Sequence, residues 1–257
     1  MNIKVVNALF KYNKKSNKEI IDIPMLNIYE GTINVVLGLN GSGKSTLIKL
    51  LTGLEKCDSG AIFYDELNLS DVKIRERSKI FSYVPQQSII EGDVLVRDYL
   101  SFGTTNNLAF YASPKEDDIR RVERIADKLN ITHLLDKRIG EVSGGEKQII
   151  LIACALVQNT PIIILDEPTS ALDIKNQHLV LTVLKELQKD NKTIILSSHN
   201  PNHALYLDAD VVLIDGGKVV KTGSSKELIN IDVLKEIYGD KITKSKSLDY
   251  DEISFKD

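Results

Sequence analysis

The chain has 257 residues, 42% hydrophobic and 27% charged, enough for a full core and for one or two domains. A formal net charge of -3 argues against nucleic acid as a partner held through bulk charge, and no apolar run approaches the roughly 20 residues of a membrane span. Met1-Asn2-Ile3-Lys4 carries no secretory h-region, and Cys57 and Cys154 are isolated, without metal-ligand or C-x-x-C spacing, as expected for buried thiols in a reducing compartment.

Three strand-like runs open the chain, at 3–10, 20–25 and 32–37, with turn-rich 11–18 between the first two and Glu30-Gly31 between the last two. Their spacing suggests antiparallel pairing leading into the third strand. Tyr12 stands in the first turn, where a tyrosine alone is most often a half-buried turn residue.

The third run ends at Gly38-Leu39-Asn40-Gly41-Ser42-Gly43-Lys44-Ser45-Thr46, and 47–51 reads as the start of a helix. This is G-x-x-x-x-G-K-[ST] in a strand–loop–helix setting. Gly41 and Gly43 allow backbone geometry that a Cβ would block, so successive N–H groups can turn inward as an anion nest. The following helix aims its N-terminus at the same spot. Lys44 supplies a point charge for the β- and γ-phosphates, and the Ser45 hydroxyl can ligate Mg²⁺. A Gly/Ser surface turn that happened to contain a lysine would lack this setting. The stretch binds a nucleoside triphosphate.

A strand at 61–64, a polar helical piece at 71–78 and a strand at 80–84 lead to Pro85-Gln86-Gln87. Residues 93–135 change character: 94–102 and 116–129 have helical spacing, and Ser113-Pro114 is a helix start signal. The segment reads as a helical insertion, about 87–139, in a core of about 1–86 and 140–240. Val142-Ser143-Gly144-Gly145-Glu146 then opens a helix at 147–157. A hydroxyl and helix N–H groups meet there, which fits either a second anion site or an ordinary Ser N-cap.

Ile162-Ile163-Ile164-Leu165 is an all-apolar strand running into Asp166-Glu167. A carboxylate at the end of a buried strand needs a partner, and Mg²⁺ held with Ser45 would be one for Asp166. Glu167 can polarise a water for attack on the γ-phosphate. A helix at 174–189 and a strand at 193–197 precede His199, which could sense the γ-phosphate or be satisfied locally; His133, His178 and His203 show no ligand spacing. Strand-like 211–214 and 218–221 flank the hairpin signal Asp215-Gly216-Gly217. Short helical pieces follow at 225–230 and 233–238, then a charged segment, 241–257, expected to be mobile. Strands alternating with helices around a phosphate loop predict an α/β fold. Its phosphate-loop NTPase core would be a mostly parallel sheet, with an N-terminal antiparallel β part and a helical subdomain insertion.

The set 38–45, Pro85-Gln86, 142–146, 162–167, Ser170-Ala171-Leu172-Asp173 and His199 resembles the nucleotide-binding subunit of an ABC transporter over about residues 1–240. The resemblance implies two such subunits, a homodimer or a pair with a closely related ATPase, facing each other head to tail. Each ATP would lie between the loop of one subunit and Ser143-Gly144-Gly145 of the other. It further implies that Tyr12 stacks on adenine and that Gln86 reaches Mg²⁺ and the attacking water. Glu167 would be the base, Asp173 would cross the dimer, and His199 would be the switch. Arg97 and the residues near Gln86 would lie by the groove for a membrane subunit.

Val142 stands where leucine is usual and Glu146 where glutamine is common, both of little expected effect; Cys154 stands where arginine is usual. The stretches 83–87, 198–204 and 233–239 look most like importers of chelated iron, haem or cobalamin. That implies integral membrane permeases, an extracytoplasmic solute-binding protein and a peripheral place on the cytoplasmic face of the membrane. Molybdate or zinc uptake, an exporter, and a soluble ABC ATPase of iron–sulphur cluster assembly are the alternatives.

Overall fold

The structure, a computed structural model, describes residues 1–15, 18–86, 90, 92–107, 115–239, 242–246 and 251–255, with side chains left undescribed at 105–107 and beyond 239. Two compact units divide the chain: Met1–Val72 with Thr193–Asp257, and Lys73–Lys192.

In the first unit β1 (Ile3–Phe10) and β2 (Ile21–Ile28) are antiparallel, as expected, with Ile3 opposite Ile28 and Phe10 opposite Ile21. Ile3, Val5, Ala8 and Phe10 of β1 and Ile21, Ile23, Leu26 and Ile28 of β2 are buried while the residues between them are less so, so one face is buried and the other is not. Asn7 has φ 47°, and the register of β1 against the later strand at Ser59–Tyr64 shifts there. The expectation of antiparallel pairing into β3 (Ile33–Leu37) fails. All five of its residues are buried, and a strand without a polar face belongs inside a parallel sheet. Helix α1 (Lys44–Thr52) follows the phosphate loop and stops at Gly53, which takes the left-handed conformation with φ 66°. Strand β4 (Ser59–Tyr64) returns to β1, and β5 (Leu67–Asn68) pairs with β4.

In the second unit α2 (Ile74–Ile80) runs directly into β6 (Phe81–Val84). Next come α3 (Val96–Ser101), α4 (Glu116–Lys128) and α5 (Gly144–Val157). The Ser113-Pro114 start signal and Gln87 lie outside the described residues, but α4 begins two residues beyond that proline. Strand β7 (Ile162–Leu165) pairs in parallel with β6, placing Val84 opposite Leu165. Helix α6 (Ile174–Lys189) closes the unit.

The chain then returns to the first unit. Strand β8 (Thr193–Ser198) is buried throughout and runs parallel to β3, with Leu37 opposite Ser198. Helix α7 (Pro201–Leu207) was not anticipated, although Asn200-Pro201 is an N-cap followed by proline at the first helical position. Strand β9 (Asp210–Asp215) lies parallel to β3 on its other side, and β10 (Lys218–Ser224) turns back along β9. Helices α8 (Ser225–Leu228) and α9 (Ile231–Tyr238) follow. In the expected tail, β11 (Ile242–Lys246) and β12 (Asp251–Phe255) pair as an antiparallel ribbon. Burying each Ile, Leu or Val of β3, β8 and β9 stabilises the fold by about 1.5–3 kcal/mol, so the carboxyl ends of these strands are fixed points. The phosphate loop and His199 hang from them.

Candidate active site

The phosphate loop is shaped by backbone as much as by side chains. Gly41 and Gly43 take φ 80° and 108°. At 43 a Cβ would lie 3.1 Å from Ile21 Cδ1 and 3.3 Å from Gly217 Cα, so both torsion and space demand glycine. The loop is also tied from outside: the Gly217 N–H donates to Ser42 O at 2.8 Å, and the Asp22 N–H donates to Gly217 O at 2.9 Å. The predicted Asp215-Gly216-Gly217 hairpin is therefore a brace for the phosphate loop. No residue pattern announces a backbone–backbone bond, so this brace was not legible in the sequence.

Lys44 is buried and folds back over the loop, donating from Nζ to Gly38 O at 2.9 Å and Leu39 O at 3.1 Å. Its ammonium thus lies inside the ring it helps to close. Ser42 Oγ is buried without a hydrogen-bond partner, which is costly unless a ligand supplies one. Helix α1 starts behind Gly43, which has no side chain with which to cap it. Buried cation, unpartnered hydroxyl and uncapped helix converge on one spot and suit a polyphosphate. Ser45 is half-buried beside them, and Leu39 and Asn40 are exposed at the tip.

Tyr12 is 53% exposed. Its hydroxyl lies 3.3 Å from Thr46 Oγ1 and its ring meets Phe10 edge-on, 4.9 Å between centroids. The ring is held at one edge, with Lys49 Nζ over it 6.0 Å from the centroid, and the residue is exposed, which suits a stacking platform. His199 is exposed at the end of β8. Sequence reasoning passed over His203, which is buried with Nδ1 3.0 Å from Ser198 Oγ. Burial, with His199 nearby, pushes its imidazole down to about 4. Tyr238 was also missed: burial pushes its hydroxyl up to about 12 against the opposing pull of the Gly38 backbone.

The second unit carries the other candidates. Asp166 is buried at the end of β7, and its N–H donates to Val84 O at 2.8 Å. Burial, and then the Asp166 charge, push the Tyr83 hydroxyl up to about 12. Glu167 is buried with φ 46°, a left-handed conformation that costs a non-glycine residue about 1–2 kcal/mol. Its carbonyl accepts from Ser170 N–H at 3.2 Å and Ser170 Oγ at 3.0 Å, which hold the turn. Gln86 Nε2 donates to Glu167 Oε2 at 3.3 Å. Strained backbone carrying a buried, directed carboxylate is a functional signature. Gln148 on α5, unnoticed in sequence, is buried and donates to Pro168 O at 3.2 Å, tying the helix behind Ser143 to this turn.

Ser143 caps α5: its Oγ accepts from the Glu146 N–H at 3.3 Å, and Glu146 Oε2 accepts from the Ser143 N–H at 2.6 Å. This capping box makes the Glu for Gln exchange harmless, since both residue types can close it. The Ser143 amide and hydroxyl beside Glu146 hold its carboxyl below the usual range. A Cβ added at Gly144 would meet nothing within 4 Å, and one at Gly145 would meet Ala171 O at 3.6 Å and Leu172 Cδ2 at 4.0 Å, both ordinary contacts, so this corner is open. Asp173 caps α6, accepting from Asn176 N–H at 2.8 Å, while Ile174 beside it is 86% exposed. At Cys154, Sγ lies 3.7 Å from Tyr99 O, and burial pushes the thiol up to about 11. A half-buried neutral thiol against α3 thus stands at the position where the resemblance implied an arginine. Arg97 pairs with Asp136 at the surface.

Loop, Tyr12 and His199 are together in one unit, and Gln86, Asp166, Glu167, Ser143 and Asp173 in the other. Ser45, Gln86 and Asp166 offer only oxygen ligands or an amide, the hard donor set that Mg²⁺ prefers. Among the described residues no helix is long and apolar enough to cross a membrane.

Residues 22–170 match the family model described as ABC transporter. The chain is 32% identical over 240 residues to the "Probable iron chelatin transport ATP-binding protein" of Helicobacter pylori strain 26695, covering 93% of each. It is 26% identical over 223 residues to the iron(3+)-hydroxamate import ATP-binding protein of Bacillus subtilis strain 168, covering 86% of this chain and 83% of that one. Among solved structures it is similar to a dimeric ATP-binding cassette in a post-hydrolysis state bound to ADP and Pi. The TM-score is 0.78 and the identity 26%, across 87% of this chain and 98% of that one.

Proposed function

This chain belongs to the ABC transporter family as an ATP-hydrolysing cassette, and we propose that it energises import of a chelated iron species through separate membrane permeases. The observation that carries nucleotide binding is the phosphate cradle: Lys44 arched over its own loop beside the unpartnered Ser42 hydroxyl. The substrate class is supported by two relatives whose names specify iron chelatin transport and iron(3+)-hydroxamate import.

In this reading Tyr12 stacks on adenine, and Gly38 through Thr46 wrap the phosphates with backbone N–H groups and the Lys44 ammonium. Ser45, Gln86 and Asp166 would hold Mg²⁺, which when bound draws charge from the terminal phosphate. Glu167 takes the proton of the attacking water, and Gln86 orients both that carboxylate and the water. His199 donates to the terminal phosphate. Ser143, Gly144, Gly145 and Asp173 act on the nucleotide of a facing second copy, where the exposed Ile174 becomes buried. Binding closes the pair because two half-sites share one phosphate; hydrolysis severs that bridge and removes the differential stabilisation of the closed state. A permease at the cytoplasmic face of the membrane reads the opening, and a solute-binding protein delivers the chelate outside.

Co-purification with the permease and reconstitution into vesicles tests this. ATP-dependent uptake of a ferric hydroxamate, abolished by Lys44→Ala, is expected. Uptake of molybdate or cobalamin alone would overturn the substrate, and normal ATP binding by Lys44→Ala in calorimetry would overturn the cradle.

A further inference from the structure

The turn that presents His199 is held by a closed hydrogen-bond network around a histidine to which the hydrolytic site gives no role. The Asn200 N–H donates to Ser198 Oγ at 3.0 Å, and the Ser198 hydroxyl reaches Asn200 O at 3.4 Å. Asn200 Oδ1 accepts from the Asn202 N–H at 3.0 Å as the cap of α7. Its Nδ2 is therefore the end that faces His203 Nε2, at 3.4 Å. An amide nitrogen only donates, so Nε2 must accept and the ring proton sits on Nδ1. There it donates to Ser198 Oγ, 3.0 Å away. One neutral tautomer satisfies every partner, whereas a second ring proton would set N–H against N–H.

The network is economical with respect to the fold. Helix α7 already has its cap, its Pro201 at the first position, and Ala204 and Leu207 buried beneath it. What the ring nitrogens add is a clamp on residues 198 and 200, the two neighbours of exposed His199. We propose that His203 is a positioning residue for ATP hydrolysis, its two ring nitrogens fixing the flanks of His199 so that this side chain meets the terminal phosphate without searching. The inference rests on the reading of His199 as the residue that senses that phosphate.

Steady-state hydrolysis and ATP-binding calorimetry on the full chain test it, comparing His203→Leu, His203→Asn, Ser198→Ala and His199→Ala. In His203→Leu, kcat should fall about tenfold while ATP affinity and KM stay within about twofold, because the loss is of orientation at the reacting phosphate. His203→Asn, whose Nδ2 can replace the Nδ1–H donor, should recover most of the rate. Ser198→Ala removes the same link from its other side and should lower kcat about tenfold by itself, which keeps the test decisive if the leucine variant folds poorly. A double variant carrying both Ser198→Ala and His203→Leu should be no worse than either single one, as residues acting as a unit require. Wild-type kcat in His203→Leu beside an inactive His199→Ala would overturn the inference while sparing the role of His199, and so would a defect confined to KM. Wild-type hydrolysis by His199→Ala would instead overturn the underlying reading and the inference with it.

Discussion

Glu167 shows what a residue name cannot carry. Its carboxylate was legible from Ile162-Ile163-Ile164-Leu165 running into two acids, but its φ of 46° was not. Left-handed backbone at a glutamate is disfavoured, and the surrounding bonds from Ser170 and Gln86 help to impose it. Glu167→Gln keeps that frame and removes the base, so it should bind ATP and turn over negligibly; an unchanged steady-state ATPase rate would eliminate Glu167 as base. His203 makes a prediction for stability. Burial pushes its folded imidazole down to about 4 against 6.5 when free, so between these values the unfolded chain binds a proton that the folded chain refuses. Stability should therefore drop as pH falls from about 6.5 to about 4, by a ceiling on the order of 3 kcal/mol. Urea titrations across that interval should show wild type losing more stability than His203→Leu, and parallel losses in both would contradict it. His203 was illegible because a histidine two residues beyond a proline resembles any surface helix residue.

Among the elements, those with one strong periodicity were readable, and α6 and β7 match the sequence reading end to end. Strand β3 was placed correctly but paired wrongly, since proximity in sequence suggested β2 while its buried faces required β8 and β9. Elements held by a close approach were not readable at all. At Gly103, just after α3, a Cβ would lie 2.5 Å from Cys154 O and 3.2 Å from Val157 Cβ. Backbone thus touches backbone where α3 crosses α5. Gly103→Ala should cost about 1–3 kcal/mol through overpacking, measured as a lower urea midpoint at constant m-value. An unperturbed midpoint would mean that this crossing gives way freely.

At the scale of the whole molecule, the phosphate loop alone described kinases, motors and GTPases equally well. In the function proposed for it, the open corner at Ser143-Gly144-Gly145 and the exposed Ile174 of a second copy complete its site. Hydrolysis should therefore be second order: specific activity should rise with protein concentration, and light scattering should find Glu167→Gln dimeric with ATP and monomeric without. A specific activity independent of dilution, in a protein monomeric throughout, would remove the shared site.

The cap at Ser143 has a consequence for which substitutions this chain can tolerate. Its oxygen accepts from the Glu146 amide, while its proton faces the Glu146 carboxylate. An arriving anion must therefore draw that hydrogen from Glu146, but the lone pair that holds the helix stays in place, and closure need not break the cap. Folding alone would welcome aspartate at 143, which caps at least as well. A carboxylate, however, has no hydrogen to give and adds repulsion. Ser143→Asp should melt within about two degrees of wild type yet fail to trap ATP, making position 143 permissive to the fold and closed to the chemistry.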